Sequence, residues 1–181
     1  MGKFITLKEI ESLAKEFKLK VSRVQAIKHV ESGGIGFDKE TSKIIIQFEP
    51  AWFKKQAPYT PSGKWSLNGV EKQEREWIAF NDAFKLNSKA AMEATSIGLM
   101  QVLGIHYKRL GFKSVGAMWD FAKVSEKNQM WLGLEFIRTD KIMYNALVIG
   151  DWEEVAYRYN GKNYYILGYH IKLKNADKLY S

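Results

Sequence analysis

A mainly α-helical single domain with one small β-hairpin is predicted from three observations. Apolar residues recur at helical spacing over most of the chain, a single β-branched run lies between a polar turn and a proline, and the 181 residues suit one core. No fixed-period repeat and no low-complexity segment interrupts it, so residues 1–181 are expected to form one unit without an appended module.

Ile10, Leu13 and Phe17, then Val21, Val24, Ile27 and Val30, mark two amphipathic helices, and Gly33-Gly34 is expected to stop the second. The run Lys43-Ile-Ile-Ile-Gln-Phe-Glu49 before Pro50 predicts the second strand of a hairpin over Ile35 to Glu49, with Ile44, Ile46 and Phe48 on one face. Gln56 to Gly69, with Pro58, Pro61 and Gly63, reads as a loop. Its neighbouring rings Trp52, Tyr59 and Trp65 are either exposed for stacking or a satellite core. Trp77, Phe80 and Phe84 predict a further helix, with the charges of Glu71 to Glu76 in its first turns. From Ser88 onward the pattern reads as helical, broken at Gly98, Gly104, Gly111, Gly150 and Gly161, and the last helix is expected from about Asn163 to Leu179. Asp151 with Glu154 reads as a capping box and Ser125 as another N-cap.

Composition removes several functions. With no cysteine there is no disulfide framework, no thiolate metal site and no cysteine nucleophile. His29, His106 and His170 have no partner at metal-binding spacing, and Ser32, Ser96 and Ser125 lack a nucleophile elbow, so neither a metal nor a cofactor is expected. The formal charge of +8 predicts attraction to polyanions such as nucleic acid, anionic lipid or cell-wall glycan. No recognition-helix pattern or Arg/Lys stripe favours nucleic acid. The N-terminus lacks an uninterrupted apolar stretch, from which synthesis in the cytoplasm without a signal peptide is expected.

Glu31 carries the first chemical expectation. It lies four residues after Ile27 and seven after Val24, which aims its carboxyl along the apolar stripe of its helix, in the last turn. Apolar neighbours and the negative end of the helix dipole both oppose ionisation, and a carboxylic acid held protonated near neutral pH is what glycosidic cleavage demands of its proton donor. On position alone, a surface glutamate at a helix end remains open.

Three patterns in fixed order narrow the choice: Val30-Glu31-Ser32-Gly33, Ser96-Ile97-Gly98-Leu99-Met100-Gln101, and Ala156-Tyr157-Arg158-Tyr159-Asn160-Gly161. This order resembles the goose-type lysozyme and lytic transglycosylase superfamily. It is more closely similar to the N-acetylmuramidase family of bacteriophage endolysins, through Phe48-Glu49, Gly98 to Gly104 with Tyr107, Gly111-Phe112, Ser125-Glu126 with Gln129, Asp151-Trp152, and Tyr159-Asn160-Gly161 with Tyr164 and Lys172-Leu173. The likeness runs from about Ala26 to Leu179.

The resemblance implies a lysozyme-like fold whose hairpin walls a cleft, with Glu31 as proton donor and Ser96, Met100, Gln101, Tyr159 and Asn160 as substrate-binding residues. An amide offers donor and acceptor to sugar hydroxyls and a tyrosine ring stacks on a pyranose face. Gln101 as a solvent-facing residue, and Asn160-Gly161 as a helix C-cap, remain alternatives. Glu49 is the second catalytic candidate, either a base for water or a structural acceptor, with Asp38 and Glu40 as substitutes. Two departures stand out: Pro50-Ala51 follows the Phe-Glu pair where many relatives carry basic residues, and Ile97 replaces an aromatic.

The implied activity is hydrolysis of the β-1,4 bond between N-acetylmuramic acid and N-acetylglucosamine in bacterial peptidoglycan. A lytic transglycosylase using the same glutamate is the alternative. The resemblance, together with the lack of a signal sequence, implies a protein made in the host cytoplasm that reaches the periplasm through a holin, with export by a dedicated secretion machine as the alternative; a monomer is expected. Its basic charge is suited to anionic surfaces, the outer membrane included.

Overall fold

The computed structural model describes residues 3–30, 35–68 and 72–181. Glu31, Ser32 and the Gly33-Gly34 stop therefore lie outside the described residues. The described chain runs α1 (Leu7–Glu16), α2 (Val21–Val30), β1 (Ile46–Phe48), α3 (Pro50–Gln56), α4 (Gln73–Leu86), α5 (Ser88–Glu93), β2 (Thr95–Ile97), β3 (Val102–Leu103), α6 (Val115–Val124), α7 (Glu126–Arg138), α8 (Lys141–Ile149), α9 (Trp152–Asn160) and α10 (Tyr169–Leu179). Single 3-10 turns occupy Lys64–Leu67 and Gly104–Tyr107. The molecule is mainly helical, as expected.

Local chemistry sets the helix ends. Thr6 and Glu9 form a reciprocal capping box on α1, and Ser125 accepts from Asn128 N to start α7. Asp151 accepts from Glu154 N, so it caps α9. The last helix begins at Tyr169 rather than near Asn163, because turns fill the interval up to Gly168, whose φ of 64° interrupts helical geometry.

The sheet departs most from expectation. Over Ile35 to Glu49 the expected hairpin is short: among the described residues it is one antiparallel bridge, Phe37 to Ile44, with Asp38 N donating to Lys43 O and Ile45 N to Gly36 O, and β1 then pairs antiparallel with β2 in the order β1-β2-β3. The segment expected to be helical after Ser88 thus supplies two strands. Thr95, Ile97 and Val102 favour extended backbone, while Gly98 (φ 67°) and Gln101 (φ 47°) turn the chain between β2 and β3. The alternation in β1 is as expected: Ile44, Ile46 and Phe48 are buried and Gln47 is exposed.

β1 is an edge strand whose free edge is closed by side chains. Its inner edge bonds to β2, with Gly98 N donating to Ile45 O at one end and Glu49 N donating to Ala94 O at the other. On the outer edge Gln73 accepts from Ile46 N (3.0 Å) and donates to Ile46 O (2.8 Å). Glu76 accepts from Phe48 N (2.7 Å), and Asn68 Nδ2 donates to Phe48 O (3.0 Å). Three side chains therefore stand in for a fourth strand, satisfying groups that an open edge would leave bare.

Of the loop rings, Trp65 belongs to the core, edge-on to Phe53 at 5.0 Å, whereas Tyr59 is exposed and Trp52 lies under Lys55. The α4 stripe buries Phe80 against Trp119 and leaves Phe84 partly exposed. α10 packs along α2, where Ser22 donates to Asp177 at 2.6 Å.

Candidate active site

The sheet has one dry and one open face. Ile46, Phe48, Thr95, Ile97 and Val102 point into the core. Gln47, Ser96 and Leu103 lie side by side in register on the other face, exposed or half-buried. Ser96 thus sits at the centre of an accessible strip, with the Gly98–Gln101 turn at one end and Glu49 at the other. At roughly 3.4 Å per residue, the four steps from Ile45 to Glu49 separate those ends by about 14 Å.

Glu49 is placed by β1 and also precedes α3, where Pro50 starts the helix with preset φ. Its backbone is fully used, but its side chain makes no capping bond, and no hydrogen bond or ion pair holds the carboxyl among the described residues. Partial burial raises its pKa above the usual carboxylate value, and the charge of Glu76 adds to the effect. Asp38 is the opposite case. Its Oδ1 accepts from Thr41 N (2.8 Å) and Thr41 Oγ1 (2.7 Å), bonds that lower its pKa, and Glu40 is simply exposed.

Gln101 is half-buried and folds its amide back on its own turn, donating to Gly98 O at 2.7 Å. Tyr159 spends its hydroxyl on Met100 O (2.7 Å) and sets its ring edge-on to Phe136, so it fastens α9 to the β2–β3 turn. Met100 is a correction. Its side chain is completely buried against Gly133, where an added Cβ would come within 2.6 Å, so it serves the core and cannot line a cleft. Asn160 ends α9 ahead of the Gly161 C-cap, and its buried Nδ2 has no partner among the described residues. Arg158 pins this end of α9 by donating to Glu154 and to Asp140.

Sequence reasoning missed the roles of the buried polar residues behind the site. Gln129 accepts from Leu99 N (2.8 Å) and donates to Ala122 O (3.0 Å), while Glu126 accepts from Gly36 N (2.8 Å) and Ile5 N (3.0 Å). Together they fix the turn carrying Gln101 and the segment that follows residues 31–34. Glu76, Gln73 and Asn68 do the same for β1. Their signal was weak because Glu76 and Glu126 look like ordinary first-turn acids of exposed helices.

A family model, N-acetylmuramidase, matches residues 20–181. The chain belongs to the N-acetylmuramidase family. It is a glycoside hydrolase, and the residues quoted above for the resemblance fall largely in its turns, caps and buried anchors. The crystal structure of Burkholderia AP3 phage endolysin is similar throughout, with a TM-score of 0.88 at 29% identity, covering 99% of this chain and 72% of that one. No curated protein matches the chain. Next to Val30, the last described residue before Glu31, a cavity of about 480 Å³ opens between α2 and α10, lined by His29, Lys172, Asn175 and Leu179. Among the described residues no group of three His, Asp or Glu converges as a metal site, and no helix is long and apolar enough to cross a membrane.

Proposed function

We propose that this muramidase is an endolysin that hydrolyses the β-1,4 bond between N-acetylmuramic acid and N-acetylglucosamine, with Glu31 protonating the leaving oxygen and Glu49 acting as base toward water. The observation that carries the second role is the half-buried carboxyl of Glu49 at the end of an open strip, with no hydrogen-bond or ion-pair partner among the described residues. A carboxyl in that environment is a stronger base than an exposed one once ionised. Ser96 and Gln101 supply sugar contacts along the strip, and Asn160, whose Nδ2 has no partner among the described residues, supplies one at its flank. Tyr159 supports them from behind through Met100 O.

The charge of +8 favours retention on an anionic wall or outer membrane and raises encounter rates. The enzyme works as a monomer on peptidoglycan in the periplasm, which it reaches after holin-type release. Its family membership and the endolysin likeness support this reading.

Replacing Glu31 by Gln tests the assignment. Cell-wall turbidity clearing should fall by about 10²–10⁴-fold with circular dichroism unchanged. Residual clearing within a few fold of wild type would reject Glu31 as the acid. Digestion in ¹⁸O-water should place one heavy oxygen at each new reducing end, whereas unlabelled 1,6-anhydro products would identify a transglycosylase.

A further inference from the structure

The outer edge of β1 is closed by three side chains from outside the sheet, and all four of the edge groups they meet belong to Ile46 and Phe48, the last residues on that side before Glu49. Glu76 stands out among them. It is only 5% exposed, and its Oε2 is shared between Phe48 N and Asn68 Nδ2 (2.8 Å). A buried carboxylate is an expensive way to satisfy one strand amide, since an amide side chain does the same job at Ile46 without a charge.

We propose that Glu76 is a positioning residue for the reaction: with Asn68 and Gln73 it clamps β1 so that Glu49 is held at the end of the open strip, and it stations a fixed negative charge behind the Glu49 carboxyl. This rests on the role given to Glu49 above. Among the described residues, β2, α5 and α3 contribute nothing equivalent. β2 carries no charged residue. Glu93 of α5 is paired with Lys89 at 3.8 Å. On α3, Lys54 and Lys55 lie in the last turn, with Lys55 over the Trp52 ring at 4.5 Å. Burial is the larger cause of the raised Glu49 pKa, and the Glu76 charge is the part a substitution can remove.

Two variants separate charge from anchoring. Glu76→Gln removes the charge and keeps an acceptor for Phe48 N. Asn68→Ala keeps the charge and removes the donor that Phe48 O and Glu76 Oε2 share. The Glu49 carboxyl is followed by ¹³C NMR, assigned by its loss in Glu49→Gln. In Glu76→Gln its titration midpoint should fall, and the acid limb of the hydrolysis profile should move down with it. In Asn68→Ala the midpoint should stay raised while kcat drops several-fold at constant KM. An unmoved midpoint in Glu76→Gln would overturn the charge role, and an unchanged kcat in Asn68→Ala would overturn the clamp. Full wall hydrolysis by Glu49→Gln, with the midpoint still moving in Glu76→Gln, would instead remove the catalytic role of Glu49 and leave the Glu76–Glu49 coupling standing.

Discussion

Glu126 and Glu49 are two carboxyls near opposite ends of one small sheet, and their treatment by the fold is reversed. Glu126 is 2% exposed and each of its oxygens accepts a backbone amide, one from Gly36 and one from Ile5. Glu49 is half-buried, with no donor on its side chain among the described residues and a charged neighbour. A buried carboxylate whose acceptor capacity is filled holds chain segments together. One left partly desolvated and unsatisfied has bonding capacity to spend on a substrate or a water. The difference teaches that burial alone does not mark a reactive group; the missing partners do.

The largest expected effect comes from emptying the satisfied site. Glu126→Ala leaves Gly36 N and Ile5 N without acceptors in a buried region, and hydrogen bonds to a charged group contribute about 1.5–3 kcal/mol each. A loss of about 3–4 kcal/mol is expected, seen as a fall in Tm of about 10 °C. Because the Gly36 segment directly follows residues 31–34, activity should decline well below the melting transition. A Tm within about 2 °C of wild type would mean that the two amides find other partners, and the contrast with Glu49 would lose its structural half.

Gly98→Ala follows. A methyl there would sit 2.5 Å from Gln129 Cδ, at a φ of 67° that disfavours any Cβ. Gln129 is fully buried and bonded at both ends of its amide, so it cannot yield without giving up Leu99 N or Ala122 O. A cost of about 2–4 kcal/mol is expected in urea unfolding. Displacement of the Gln101 turn should also lower kcat/KM for wall fragments more than the stability loss explains.

Much of this was legible beforehand. The α1 and α2 stripes, the Ser125 cap and the inward face of β1 follow from spacing and residue type, because periodicity records which face is dry. The partner of β1 was not legible: Thr95-Ser96-Ile97 is only three residues long and is followed by Leu99-Met100-Gln101, all good helix formers, so local propensity pointed away from a strand that long-range pairing imposes. The candidate site residues divide by placement alone. Ser96, Gln101 and Glu49 lie along one strip, but Met100 went inward because its spacing to Gly133 is a fact of tertiary packing. The Gln73–Asn68–Glu76 clamp joins residues 20 to 28 positions away from β1, beyond any local pattern.

The smallest effect tests the other half of the contrast and has the opposite sign. A glutamate whose pKa is raised on folding stabilises the native state below its unfolded value, and that contribution is lost as pH rises through the folded value. At neutral pH the ionised Glu49 is therefore a liability, and Glu49→Gln should melt higher than wild type. Its partial exposure discounts the gain to about 1 kcal/mol or less, roughly 2–4 °C. Near pH 4, where the wild-type group is protonated, the two melting curves should converge. Because Glu76 supplies part of the penalty, the advantage of Glu49→Gln at pH 7 should shrink when Glu76→Gln is also present. A double-mutant cycle reads that coupling directly, and strict additivity would mean that the two carboxyls do not sense each other.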